Sequence, residues 1–328
     1  MTQTWWAWPV AAVGLCVLSA IYTKLRAPGF RVAGKHVFIT GGSTGLGLAT
    51  AKKYAKAGAS VSIVARGLDK LEEAKKEIEE VRSNPETKVF IKSCDVTSFE
   101  SLKEAIEAAN KAHDRVVDHL ICCAGVATPG YFLDQDISVF RKSMELNYFG
   151  VVNTIKAALP AMVARGEGGR IMIVSSGLAM LSFIGFSQYS SSKYALRGLA
   201  EALRNEFKLY NIDVHIFYPG NIDSPGFVEE NKIKPEETKT IEGVSEPIHP
   251  DKVADSMISG MSNGHFSITN DPLIAMLRAL ANGVTPRLNT PLELFLMPLL
   301  VLIQVGFGMF MDFVVWQSGK KKKKEKTN

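Results

Sequence analysis

The stretch "HVFITGGSTGLG", His36 to Gly47, carries a short β-branched run into a glycine-rich corner and out into a helical period. Gly41, Gly45 and Gly47, with Ser43 and Thr44 between them, remove side chains where strand gives way to helix. Backbone N–H groups and a helix N-terminus can then approach a pyrophosphate. A glycine-rich turn alone is a weak signal. This one follows a strand pattern, opens a helix pattern and stands at the head of an alternating chain, which is the context the reading requires.

Beyond the corner, strand-like runs recur at 60–65, 88–94, 119–125, 170–176, 214–220 and 266–269, separated by charged amphipathic intervals such as "LDKLEEAKKEIEEV". This alternation predicts a parallel sheet covered on both faces. With the first run at 36–40, seven strands predict one doubly wound (Rossmann) α/β domain over residues 31–270. After Gly220 the alternation stops. Residues 221–250 are rich in Pro, Glu and Lys and follow the sixth strand, at the sheet edge where open sheets bind ligands, so they are expected to cover a substrate.

An enzyme using NAD places an acid at the end of the second strand to bind ribose hydroxyls, whereas this chain places Arg66, with Lys70 one helical turn on. A guanidinium there suits a 2′-phosphate and favours NADPH. In "SQYSSSKYALRGLAEAL" (Ser187 to Leu203), Tyr189 and Lys193 stand four apart on one helix face. A phenol with an ordinary pKa of about 10 gains acidity beside an ammonium and becomes a competent proton donor and acceptor. By itself the spacing is usually a surface pair. Ser176 at the end of the fifth strand and Asn147 in "MELNYFG" change the reading: the serine can donate to a substrate oxygen, and a buried amide can hold a water that links the lysine to solvent.

Together these residues resemble the short-chain dehydrogenase/reductase family: "TGGSTGLG", "CDV" with Asp95 placed near the adenine, "CCAG", Asn147, Ser176, and Tyr189 with Lys193, thirteen residues after the serine. The resemblance covers roughly Gly34 to Asn270. It implies a ketone reductase in which Tyr189 is the proton donor, Ser176 orients the oxygen and Lys193 also holds the nicotinamide ribose. Two departures stand out: Cys122 where the family usually has Asn, expected to change local packing only, and Ser224 where it usually has Thr. "RGLAEALRNE" and "DSPGFVEENKIKPEET" are similar to the membrane-bound members that reduce 3-ketodihydrosphingosine, a long-chain keto-amine, in sphingolipid synthesis at the endoplasmic reticulum. Glu229 or Glu230 would then meet the substrate ammonium. The family often pairs subunits through the helices bearing Asn147 and Tyr189. A membrane-anchored steroid or retinoid reductase shares most of these features, and a lipid- or partner-binding pseudoenzyme is the reading from another class, weakened by the presence of all four catalytic residues.

The ends carry the hydrophobic excess of a chain that is 46% hydrophobic. Trp5 to Tyr22 is an uncharged apolar run followed by Lys24, Arg26 and Arg31, so residues 1–30 are expected to anchor the chain with its body in the cytosol. Residues 271–318 form a second apolar region, containing Pro298, Gly306 and Gly308, before a lysine-rich tail at 319–328. A hairpin with Leu273 to Leu280 as its other limb, a re-entrant loop and an interfacial helix each satisfy the charges. "KEKTN" resembles a retrieval signal of the endoplasmic reticulum, and a lysine run that only meets anionic headgroups is the competing reading. The formal charge of +5 comes from six lysines in the last nine residues, which leaves a near-neutral body with no nucleic-acid footprint. Cys16, Cys94, Cys122 and Cys123 have no metal-ligand spacing and read as reduced thiols.

Overall fold

The computed structural model describes residues 7–25, 27–243 and 246–327. Trp5, Trp6 and Arg26, and the tail side chains beyond Lys321 where a retrieval signal is expected, lie outside what is described. The chain opens with helix α1 (Ala7–Leu25), and β1 (His36–Thr40) then leads into α2 (Gly45–Lys56). Next come β2 (Ser60–Ala65), α3 (Leu68–Val81), β3 (Val89–Ser93), α4 (Phe99–His113) and β4 (His119–Cys122). Helices α5 (Ile137–Met144) and α6 (Gly150–Arg165) are joined by a wide π-turn, Glu145–Phe149. They are followed by β5 (Gly169–Val174), α7 (Ser187–Glu206) and β6 (Ile212–Tyr218). The chain continues through α8 (Pro225–Ile233), α9 (Glu236–Glu242), α10 (Pro250–Ser262) and β7 (Ser267–Thr269) to α11 (Pro272–Leu280) and α12 (Thr290–Thr327).

All seven strands lie in one parallel sheet, in the order β3-β2-β1-β4-β5-β6-β7. Each predicted run overlaps its strand, although β5 begins one residue and β6 two residues before the run that predicts it. The runs after β4, β5 and β6 overshoot by two or three residues because Cys123–Gly125, Ser175–Ser176 and Pro219–Gly220 leave the ladder at its carboxyl edge. Alternate residues feed two cores, as the period of two requires. Phe38, Leu120, Ile171 and Ile173 face α4, α6 and α7, while Val37, Ile39, Ile121 and Met172 face α2, α3 and α10. Cys122 is 1% exposed in the first of these cores, and every cysteine is free.

Several polar groups inside the sheet are paired. His36 Nε2 and His113 Nε2 both meet Ser62 Oγ at 2.9 Å, and His119 Nδ1 lies 2.9 Å from the Tyr54 hydroxyl. Burial pulls the pKa of His36 and of His119 down to about 3, so both stay neutral. At the amino edge, Asp118 accepts from Arg115 at 2.5 and 2.8 Å and from the His36 N–H at 2.8 Å, and those donors hold its carboxyl at about 2 against the opposing cost of burial. This edge is structural, on the side of the sheet away from the glycine corner.

Residues 221–250 fold more regularly than their composition suggests. Ser224 caps α8, its hydroxyl accepting from the Phe227 N–H at 3.3 Å, with Pro225 in the first turn; it does the N-capping that threonine also does. The two helices have nine and seven residues, too few for a stable apolar period to show. At the C-terminus, α11 is no limb of a membrane hairpin, because Ile274 and Leu277 pack into the sheet core. The apolar tail is one helix of 38 residues that continues through Pro298. Its stretch Thr290–Lys321 is, among the described residues, the one helix long and apolar enough to cross a membrane, and it suggests membrane association.

Helix α12 runs alongside the body. Asn289, just before it, donates to the Cys16 carbonyl of α1 at 3.0 Å; Glu293 pairs with Arg278 at 2.6 Å and Arg287 at 2.9 Å; Ser318 donates to Glu237 of α9. Leu292, Phe295, Leu299, Leu302, Met309, Phe313 and Trp316 form an exposed apolar stripe, spaced by threes and fours apart from one gap at Gly306.

Candidate active site

The strand order reverses between β1 and β4, and the crevice at that point is where an open sheet binds ligands. A cavity of about 390 Å³ opens there. Every residue that leaves the ladder early after β4, β5 and β6 lines it, as do Gly41, Ser43, Thr44, Gly45 and Gly47. The glycines are required by contact. Gly41 has φ +67°, and a Cβ on it would sit 2.9 Å from Ala124; a Cβ on Gly47 would sit 2.2 Å from the Gly41 carbonyl oxygen. Thr44 stands at the N-cap of α2 in extended conformation with no side-chain capping bond, so the first N–H groups of α2 are left for a ligand. Bare backbone, an uncapped helix start and a cavity wall together fit a dinucleotide pyrophosphate.

Four catalytic candidates converge on the opposite side. Ser176 and Tyr189 both line the cavity, the serine close enough to ease the loss of the tyrosine's proton. Ser176 Oγ also accepts from the Leu178 N–H at 3.1 Å, which fixes its rotamer. Lys193 is 4% exposed, its Nζ donating to the Val174 carbonyl at 3.1 Å and lying 5.5 Å from the centre of the Tyr189 ring. Burial lowers its pKa to about 8, against the opposing pull of Cys123.

The tyrosine departs from expectation. Burial pushes its hydroxyl well above 10, the Glu230 charge adds to that, the nearby Ser176 hydroxyl opposes it and Glu242 raises it further. Lys193 does not turn the phenol into a phenolate here; desolvation and the facing carboxylates prevail. Tyr189 keeps its proton at neutral pH, the form a proton donor needs.

Asn147 sits in the π-turn between α5 and α6 and is 0% exposed. Its Oδ1 accepts from the Val126 N–H at 2.9 Å, and its Nδ2 donates to Val126 O, Ser192 Oγ and Ser143 Oγ at 3.0, 3.1 and 3.3 Å. The amide therefore clamps the loop after β4 to α7. Gly125 is wedged between the two groups: a Cβ on it would lie 3.0 Å from Asn147 Oδ1 and 3.4 Å from Lys193 Nζ.

Arg66, Lys70 and Asp95 lie outside the cavity wall, at the ends of β2 and β3 and all exposed. Arg66 and Asp95 are near enough to interact, and Asp95 Oδ1 accepts from the Thr97 N–H at 3.0 Å and its hydroxyl at 2.9 Å, which together with Arg66 hold its carboxyl below the usual range. They lie towards the same carboxyl edge of the sheet as the glycine corner. Of the two acids expected near a substrate, Glu229 pairs with Lys232 at 2.6 Å on the exposed side of α8, while Glu230 lines the cavity. Glu242 of α9 and Phe307 of α12 also line it and were not anticipated. An i, i+4 pattern marks Glu230 with Lys234; nothing in the sequence marks Phe307.

The family described as short chain dehydrogenase matches residues 35–234. A Dictyostelium discoideum protein named 3-ketodihydrosphingosine reductase is 37% identical over 93% of this chain and 96% of its own length. A Danio rerio protein named 3-dehydrosphinganine reductase is 41% identical over 78% of this chain and 77% of its own. Among solved structures, a short chain dehydrogenase/reductase from Burkholderia phymatum in complex with NAD shares the fold, with a TM-score of 0.68 at 20% identity over 78% of this chain and 95% of that one. With its glycine corner, its Ser-Tyr-Lys group and its sheet order, the chain belongs to the short-chain dehydrogenase/reductase family and is an oxidoreductase.

Proposed function

We propose that this protein reduces the C3 ketone of 3-ketodihydrosphingosine to dihydrosphingosine with NADPH. The observation that carries the proposal is the cavity itself, in which a protonated Tyr189 stands beside Ser176 and across from the glycine corner, beneath a lid of α8, α9 and α12. Both named relatives support the choice of substrate.

Bound along the glycine corner, a reduced nicotinamide supplies the hydride that the carbonyl carbon accepts. Ser176 and Tyr189 hold the carbonyl oxygen, and as negative charge develops there the tyrosine hydroxyl gives up its proton to it. The products are the secondary alcohol and the oxidised cofactor, and the tyrosinate regains its proton afterwards. Lys193, close behind the ring, stabilises that transient phenolate and is placed to hold the nicotinamide ribose. Gly41, Gly45 and Gly47 admit the pyrophosphate, and Arg66, with Lys70, takes the 2′-phosphate that distinguishes NADPH.

The exposed stripe of α12 and the lysines that follow it suit a bilayer interface, with the body on the cytosolic side of the endoplasmic reticulum and the substrate's alkyl chain left in lipid. A direct test incubates the purified full-length protein in detergent with NADPH or NADH and a panel of long-chain 3-ketones and steroid ketones. Turnover of the long-chain keto-amine with NADPH is expected to dominate. Preference for a steroid ketone, or turnover of none, overturns the proposal.

A further inference from the structure

The lid holds more charge than proton transfer to a ketone requires. Lys234, the residue after α8, has a side chain that is 0% exposed, and its Nζ lies 3.0 Å from Glu230 Oε1 and 2.5 Å from Glu242 Oε2. It also sits 4.4 Å over the ring of Phe227, which lines the cavity. A buried ammonium needs a counter-charge, because an unpaired ion in such a place is strongly destabilising. One carboxylate meets that need. The second leaves a net charge of minus one on a wall that also faces Tyr189 and Ser176, with the Glu230 and Glu242 side chains only 18% and 13% exposed.

An enclosed surplus of one negative charge is unfavourable until a cation or a proton joins it, and a cationic substrate group can take the proton's place. Both glutamates show the strain: burial pushes each carboxyl above the usual range, and the Glu230 charge pushes Glu242 further. Both charges also reach the Tyr189 hydroxyl, so the surplus is felt at the reacting centre. Lys234 cannot neutralise both, and among the residues lining the cavity the one other basic side chain is Lys193, committed to the Val174 carbonyl.

We infer that Glu230 and Glu242, bridged by Lys234, form the subsite that receives a primary ammonium on the carbon next to the ketone, and so select free amino-ketones over N-acylated or amine-free ones. The inference deepens the reductase reading above and rests on it. With the ammonium seated, two cations meet two carboxylates and the wall is neutral. An N-acyl group brings bulk and no charge, which leaves the surplus uncompensated, so the same wall works by exclusion as well as attraction. The seated ammonium also cancels the field that holds the Tyr189 proton back, which ties proton donation to the presence of the right substrate.

The experiment uses the full-length protein in detergent with NADPH. It measures kcat/KM for 3-ketodihydrosphingosine, its N-acetyl derivative and the same hydroxyketone without the amine. The wild type is expected to prefer the free amine by about a hundredfold, and Glu230→Gln and Glu242→Gln each to reduce that preference by about tenfold or more. A second measurement needs no variant: octadecylamine should inhibit the wild type about tenfold more tightly than octadecanol. Equal turnover of the three ketones, equal inhibition by amine and alcohol, or variants that lose activity on all ketones in the same proportion would each remove the subsite while leaving the reductase reading in place. Failure of the wild type to reduce any long-chain ketone removes both. Should a variant not fold, as judged by lost NADPH binding, the inhibition ratio decides.

Discussion

Gly125→Ala tests whether the packing behind the nicotinamide site is as tight as it looks. The added methyl would lie 3.0 Å from Asn147 Oδ1 and 3.4 Å from Lys193 Nζ, both inside the ordinary contact distance of about 3.5 Å or more. The backbone there is not left-handed, so the cost is one of space. Asn147 cannot yield cheaply, since four hydrogen bonds fix its buried amide. Lys193 Nζ is tied by a single bond to Val174 and is expected to move by a few tenths of an ångström. If a misplacement of about 1 Å costs about a hundredfold, a third to a half of that costs about five- to tenfold in kcat. Overpacking should also lower stability by about 1–3 kcal/mol. Stopped-assay kcat, NADPH affinity from fluorescence titration and thermal unfolding measure the three effects. Gly198→Ala is the control: its Cβ meets nothing within 4 Å on an exposed face of α7, so it should leave kcat alone and add about 0.5–1 kcal/mol of helix stability. Wild-type kcat and stability in Gly125→Ala would refute the wedge.

Other outcomes follow from the same geometry. Tyr189→Phe should nearly abolish turnover while NADPH still binds; retention of most activity would mean that the proton comes from elsewhere. Arg66→Asp is expected to shift the kcat/KM preference from NADPH towards NADH, and an unchanged preference would show that the arginine does not meet the 2′-phosphate. His119 has a folded pKa of about 3 against 6.5 unfolded, so between those values the unfolded chain binds the extra proton and acid destabilises the fold. At about pH 5 that amounts to about 2 kcal/mol, so urea unfolding of His119→Gln should lose about that much less stability than wild type between about pH 7.5 and 5; identical losses would contradict the burial of this imidazole. Glu230 and Glu242, with raised pKa, change stability in the opposite sense, which is why the comparison is made against a variant. Phe307→Ala should raise KM for the long-chain ketone several-fold without altering NADPH affinity, and a change confined to the cofactor would place the phenylalanine wrongly.

The sheet and its glycine corner were legible because both are local. Strand runs such as His36–Thr40 are buried on both faces, so their middle residues are apolar in succession, and the corner needs bare backbone at fixed positions. The catalytic group was legible through spacing, since a helix brings Tyr189 and Lys193 to one face whatever surrounds them. Their acidity was not, because it depends on Glu230 and Glu242, more than thirty residues on, and on how far the hydroxyl is buried. Asn147 was found, but its clamp was not: its partners Ser143, Ser192 and Val126 come together only through the π-turn and the loop after β4. Helices α8 and α9 escaped notice because they are held by the Ser224 cap of α8 and by the buried Lys234 cluster, and neither leaves a period. The single long α12 was one step further away, as proline and two glycines argued for a bend that the helix does not need.

Phe307 gives α12 a second property. The helix with the chain's longest apolar stretch is also part of the wall of the reaction chamber. Where that helix rests on a bilayer, the chamber opens onto a two-dimensional phase, and the substrate is counted per unit of membrane area. If the proposed keto-amine is the substrate, turnover then follows its mole fraction among the lipids: adding inert phospholipid dilutes it, while adding buffer does not.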